Sequence, residues 1–185
     1  MNVDGTLNPP NEQVRLLCDG TLGALCRWLR VSGYDTQFFA PLKRETRDAP
    51  AQAAALQDTA RRDGRLVLTR SKRIFDLLGN VAHLVRDDVV YHQVLEVAVA
   101  LDLHLTRHAL SRCREDNGRL VKALQSQVMG RVPPYVAATQ QSFVECPECG
   151  RVYWGATHRD SMLERLAEME RVRCSMRSAI TANAG

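Results

Sequence analysis

The sequence predicts an α/β fold: a largely parallel sheet with helices on both faces, followed by a small stapled unit and a terminal helix. Short apolar runs alternate with stretches at helical period, which implies strand–helix–strand crossovers. After about residue 104 that texture stops, and Cys, Gly and Pro gather at turns in CREDNG, VPP and CPECG. The apolar content there is too low for an unaided core.

The elements follow in order. Residues 1–13 read as a flexible arm. Val14 to Cys18 is a short apolar strand. The next stretch, DGTLGALCRWLRVSGYD, is helical, with Leu22, Leu25, Cys26 and Leu29 at i, i+3, i+4 and i+7 and Gly33 after its last turn. DTQFF is a second strand, and residues 40–49 are a polar connector. Pro50 suits a first helical turn, Ala53, Leu56 and Ala60 form one face, and Gly64 ends that helix. Leu66 to Thr69 is a third strand, Lys72 to Leu78 a short helix and NVAHLV a fourth strand. Asp88 can cap a longer helix with the stripe Val90, Val94, Val97, Ala98 and Leu101. The terminal helix, HRDSMLERLAEMERV, has Met162, Leu166 and Met169 on one face and Thr157 or Asp160 as its cap. The tail SAITANAG reads as frayed. The chain thus divides into an arm (1–13), an α/β domain (14–104), a small ribbon-like unit (105–158) and a helix with its tail (159–185).

The chain has 185 residues, 45% of them hydrophobic and 25% charged, the mixture of a soluble globular protein. No apolar run reaches the roughly 20 residues of a membrane span. MNVDGTLNPPNEQ has the form of neither a secretory signal nor an organellar transit peptide. The expectation is an intracellular protein with no membrane partner, in the cytoplasm or an organelle. The net charge of +4 is compatible with nucleic acid. RRDGRLVLTRSKR holds Arg61, Arg62, Arg65, Arg70, Lys72 and Arg73 against Asp63 alone, and RHALSRCREDNGRLVK adds a second basic cluster. Each is either a solvated face or a surface for phosphates.

In parallel sheets, ligands bind beyond the carboxyl ends of the strands. Asp19, Ser71 and Asp87-Asp88 all follow strands and are expected to meet on that edge. Asp19 and Asp88 each have two readings, helix N-cap or metal ligand.

Of the six cysteines, Cys18 and Cys26 lie in apolar patterns and read as core thiols. Cys113, Cys146 and Cys149 lie among turn residues, where metal binding is the expectation. CPECG is a C-x-x-C knuckle, and CREDN offers Cys113 with Asp116 at i+3, so an aspartate stands where a structural zinc site normally has a thiolate. Three readings stand open. Zinc is held by Cys113, Asp116, Cys146 and Cys149, or by the three cysteines with His158 or Cys174, or the unit is metal-free.

CDGTLGALCRWLRVSGYDT resembles the signature of the Mut-seven C-terminal RNase family, a PIN-like nuclease domain followed by a zinc ribbon. GRLVLTR, Gln93 in YHQVLE, SRC followed by NG, VPPYV and CPECGRVYWGATH extend the resemblance from about residue 14 to 163. It implies a PIN-like parallel sheet, an RNA substrate, and strand-end carboxylates that hold Mg²⁺ or Mn²⁺. Asp19 matches the first acidic position, and Asp88, beside Asp87, matches the fourth. Ala53 and Ala55 stand at the second and Ser71 at the third, with Asp76 one turn beyond. Arg27 and Arg30 fall beside the expected site, as phosphate contacts or a solvated face. Trp28 and Trp154 are packing residues or stacking platforms.

Three functions follow. The first is an RNA-binding or assembly module with a degenerate nuclease site, within a ribonucleoprotein such as a ribosome and with protein subunits as partners. The second is an active metal-dependent RNase, and the third a protein-interaction module.

Overall fold

The computed structural model describes residues 14–40, 48–155 and 157–183. The arm 1–13, most of the polar connector and the side chains of Thr157 and His158 lie outside the described residues. Strands β1 (Leu16–Cys18), β2 (Thr36–Phe38), β3 (Leu66–Thr69) and β4 (Ala82–Leu84) form a parallel sheet in the order β2-β1-β3-β4. The chain leaves β1 toward β2 on one side and later returns to β3 on the other. The topological switch point, where such sheets open a crevice, therefore lies between β1 and β3.

Side chains alternate across these strands. Leu16, Cys18 and Leu68 face helices α1 (Gly23–Val31), α4 (Val90–Ala100) and α7 (Thr157–Asn183). Leu17 and Val67 face α2 (Ala49–Asp63) and α3 (Lys72–Leu78). The predicted stripes are the buried ones: Leu22, Leu25, Cys26 and Leu29 from the first helix, and Ala53, Leu56 and Ala60 from α2. Asp48 caps α2 by accepting from the Ala51 amide at 2.7 Å, and Gly64 ends it.

The helix caps differ from expectation at two places. Asp19 does not cap α1. Leu22 occupies the N-cap position, and the Asp19 carboxylate turns back to the Thr21 amide at 2.8 Å. Asp88 does not cap α4 either. Asp87 accepts from the Val89 amide at 2.7 Å, and Gln93 donates to the Asp87 carbonyl at 2.9 Å, which leaves Asp88 pointing outward.

The last helix packs on the first unit. Leu166 and Met169 enter the core shared by α1 and α4. Arg173, its side chain 4% exposed, bridges Glu170 and Asp102 and fixes the helix to the turn after α4. The helix also runs to Asn183 rather than fraying. Ser178 and Thr181 return hydroxyl hydrogen bonds to the carbonyls of Cys174 and Arg177, which satisfies them without leaving helical geometry. Among the described residues, no helix is long and apolar enough to cross a membrane.

The small unit is an antiparallel sheet of β5 (Val121–Ala123), β6 (Phe143–Glu145) and β7 (Val152–Trp154), with α5 (Gln125–Val128) and α6 (Pro134–Thr139) beside it. Its buried core is Val128, Val132, Val136 and Phe143. A core this small matches the sequence argument that the unit needs a staple. The join to the parallel sheet is polar. Asn117 accepts from the Thr36 amide at 3.0 Å and donates to Asp35 at 2.7 Å. Gly33, at φ +95°, passes so close to His108 that a Cβ there would lie 2.4 Å from its carbonyl oxygen, so only glycine fits.

Candidate functional sites: the sheet edge and the cysteine knuckle

The sheet edge is built at the switch point. The Asp19 amide donates to the Leu68 carbonyl at 3.0 Å, extending the β1–β3 ladder by one bond. That places the carboxylate, in a residue 4% exposed, over the end of β3. One oxygen accepts from the Thr21 amide and hydroxyl, and the other from the Thr69 hydroxyl. Thr69 is fully buried and accepts in turn from the Ser71 amide at 3.1 Å. A buried carboxylate with this many donors is satisfied without a cation.

The serine at the third family position has a local task. Ser71 is the N-cap of α3, and its hydroxyl accepts from the Ile74 amide at 3.3 Å. Ala53, at the second position, is buried in the α2 core with no oxygen to offer. Asp88 is ion-paired with Arg70, and Asp76 with Lys72 at 2.8 Å one helical turn away. Mg²⁺ and Mn²⁺ want several oxygen ligands. Asp19 alone among these positions directs a carboxylate into the corner, so the described residues do not fit such an ion.

The basic residues separate into three groups. Arg70, Lys72 and Arg73 are exposed around the corner, joined by Arg86, whose side chain is 75% exposed and which the sequence reading passed over. Arg61 and Arg62 end α2, at the opposite edge of the sheet, because β3 runs between them and Arg70. Arg65 is a brace rather than a ligand-facing group. Its side chain is 7% exposed and holds Asp35 at 2.7 Å and the Leu16 carbonyl at 3.1 Å. Arg30 is likewise buried, donating to the carbonyls of Thr36 at 2.8 Å and Glu115 at 2.6 Å. Arg27 faces Glu115 at 3.7 Å. The first helix therefore turns its arginines to the small unit and not to the corner. Trp28 packs half-buried against the main core.

The second site is the knuckle. Cys113, Asp116, Cys146 and Cys149 bring one ligand atom each within 4.8 Å of one another and could hold a metal ion. The Cys113 and Cys149 sulfurs lie 3.7 Å apart, the spacing of two thiolates on one tetrahedral ion with bonds of about 2.3 Å. Asp116 lies 3.2 Å from the Cys146 sulfur through each of its oxygens. Backbone amides orient the ligands: Gly118 donates to Asp116 at 2.9 Å, and the turn closes with Gly150 donating to the Cys146 carbonyl at 2.8 Å. Gly118 is sterically required, since a Cβ there would sit 2.8 Å from the Cys146 sulfur. The donor set of three thiols and a carboxylate fits zinc.

The electrostatics of the cluster have the same origin. The Asp116 carboxylate beside Cys149, with burial second, pushes that thiol up to about 12. Burial works to raise the Asp116 carboxyl, but hydrogen bonds from Cys149, Gly118 and Cys146 outweigh it and hold the group far below the usual carboxylate range. Four ligand groups crowded together favour a bound cation in this way. Cys174 lies apart, on the last helix beside Glu170 and Arg173.

Sequence reasoning missed Thr69 and Tyr153. Thr69 was legible as the polar end of an apolar strand, but its partner was not. Tyr153 places its hydroxyl 3.0 Å from the Cys113 sulfur, and only the register of β6 with β7 brings it there.

A family model described as the Mut7-C RNAse domain matches residues 14–166. Comparison with curated proteins and with solved structures finds no match.

Proposed function

Because this chain belongs to the Mut7-C RNAse domain family, we propose that it binds RNA through the phosphates at the sheet edge and does not cut there. The family supports a nuclease or RNA-related role. The observation that carries the finer reading is the corner itself. Its inward carboxylate is saturated by Thr21 and Thr69, its serine caps a helix, and its rim carries Arg70, Lys72, Arg73 and Arg86. Guanidinium and ammonium groups around a closed carboxylate suit a phosphate held in place.

The chain would act as an RNA-holding subunit of a ribonucleoprotein. Leu124, Met129 and Tyr135 support an assembled state, as they expose 67%, 68% and 70% of their surface on the small unit. Zinc at Cys113, Asp116, Cys146 and Cys149 would fix that unit and supply no chemistry at the corner.

The test is RNA binding and cleavage by the full chain at low salt, with Mg²⁺ and with Mn²⁺. Binding without cleavage is the expected result. Replacing Arg70, Lys72 and Arg73 by alanine lowers the log–log salt slope by roughly 2 to 3. Metal-dependent cleavage that Asp19→Asn abolishes establishes the active RNase reading instead.

A further inference from the structure

We propose a second nucleotide site, distinct from the corner, in the pocket between the knuckle, β6–β7 and the start of α7, occupied by one unpaired nucleotide of an RNA strand. The inference rests on the RNA reading above but assigns it different residues. The pocket is about 550 Å³, within the range of small-ligand sites. Val31, Leu110 and Met162 contribute an apolar floor, Tyr153 and Trp154 aromatic walls, and Arg114, Arg151 and Arg159 a basic rim.

The chemistry selects the ligand. An apolar floor beside aromatic rings receives the face of a base, and every base has such a face. Trp154 is half-buried, packed on the small unit's core while it also lines the pocket, so its ring is held rather than free to collapse. A ring fixed in advance loses little freedom when a base stacks on it. The rim asks for an anion. Arg114, Arg151 and Arg159 have side chains 42%, 56% and 51% exposed, and the acid lining the pocket is Glu115, which Arg114 and Arg151 share at 3.2 and 3.7 Å. Three guanidiniums on one lining carboxylate leave positive charge for a phosphate. Base and phosphate together make a nucleotide. A strand rather than a free nucleotide is favoured because the pocket is open to solvent along a basic rim, where neighbouring phosphates add affinity.

The knuckle builds the pocket. Tyr153 contacts the Cys113 sulfur, and Arg112 is held by the carbonyls of Gly33 at 3.2 Å and Asn117 at 2.9 Å. The walls are thus set by the same segment that could hold the metal.

The experiment titrates the full chain with single-stranded RNA hexamers, with AMP and with inorganic phosphate, reading Trp fluorescence and anisotropy. The proteins compared are wild type, Trp154→Ala, Arg159→Glu and the triple corner variant Arg70→Ala, Lys72→Ala, Arg73→Ala. The hexamer is expected to quench wild-type fluorescence. Trp154→Ala is expected to lower hexamer affinity by roughly tenfold, the low-to-middle range for one stacked base. Arg159→Glu, at an exposed position on a helix, keeps the proposal testable if the tryptophan variant fails to fold, and it is also expected to weaken the hexamer several-fold. The triple corner variant is expected to leave the hexamer-induced quench in place. Unchanged hexamer affinity in folded Trp154→Ala and Arg159→Glu overturns the pocket while leaving the corner reading intact. AMP binding as tight as the hexamer overturns the strand assignment, and phosphate binding as tight as AMP overturns the base assignment. Loss of binding in the pocket variants with none in the corner variant supports the pocket and removes the corner.

Discussion

At the sheet edge, a serine and two alanines stand where the family pattern places carboxylates. At the knuckle, an aspartate stands where a zinc site normally has cysteine. The consequences diverge. Asp116 still presents a metal-competent oxygen, and four ligand atoms converge within 4.8 Å. Ser71 gives its hydroxyl to the amide of Ile74 and Ala53 gives its methyl to a core, so the corner gathers no comparable set from these positions. A replacement that keeps a donor atom on the same vector preserves a site. One that recruits the side chain into local structure dissolves it. The contrast predicts that the knuckle's integrity depends on its ligands and the corner's on hydrogen bonds.

The largest effect is expected at the knuckle. Purified protein should carry one equivalent of zinc, and Cys146→Ser should carry less than a tenth. Structural zinc contributes on the order of 10 kcal/mol in isolated small units. Chelation should therefore unfold the small unit, seen as loss of dispersed amide signals from residues 113–154, while the parallel sheet with its own core keeps its signals. If chelation leaves the small unit's spectrum unchanged, the contrast between the two sites collapses.

Asp19 comes next. Asp19→Ala leaves the buried Thr69 hydroxyl and the Thr21 amide without their acceptor, which is expected to cost about 2–3 kcal/mol in denaturant unfolding. Asp19→Asn retains an acceptor oxygen and should cost less. Equal losses for the two variants would mean that the charge matters rather than the hydrogen bonds, and would favour the metal-ligand reading of Asp19.

These cases show what could be read from the chain and what could not. Elements bounded by periodicity and punctuation were legible. Leu66 to Thr69 and Lys72 to Leu78 are a strand and a helix as expected, and Cys113, Asp116, Cys146 and Cys149 meet as their spacing implied. Charge function was not legible, because charge along a chain is one-dimensional. The basic run at 61–73 reads as one patch, yet β3 divides it between two edges of the sheet, and Arg65 in its middle is buried against Asp35. Arg30 illustrates the same limit. Nothing in RWLR tells that its guanidinium meets carbonyls some 85 residues away. The continuation of α7 through its Ser- and Thr-containing end was missed because the hydroxyls bond within the helix instead of breaking it.

Asp35 sharpens the role of the join between the two units. Burial works to raise its carboxyl, but hydrogen bonds from Arg65 and Asn117 outweigh this and lower it to about 2. A depressed folded value means that the stabilisation is complete above the unfolded carboxylate range and is lost as pH falls through it toward 2. Asp35→Asn should therefore cost about 1–2 kcal/mol at pH 7, and its stability should converge with wild type as pH falls from about 5 to 2. A difference independent of pH would assign the effect to packing rather than charge.

Ser71 gives the smallest effect and the most direct comparison. Ser71→Ala removes the cap of α3 and should cost about 1 kcal/mol. Ser71→Asp restores the family's acid while keeping a cap of equal quality, so stability should stay within about 0.5 kcal/mol of wild type. The added charge then acts on the corner alone. It sits between Arg70 and Lys72, so RNA affinity at low salt should fall several-fold, with a shallower salt dependence. Adding Ala53→Asp raises the number of carboxylates from one to three, and Mn²⁺ binding by that double variant can be followed by paramagnetic broadening. Mn²⁺ binding in the double variant and none in wild type would locate the difference between a cutting and a holding corner in two side chains. Mn²⁺ binding by wild type at the same concentration would mean that Asp19, despite its threonine donors, is still open to a cation.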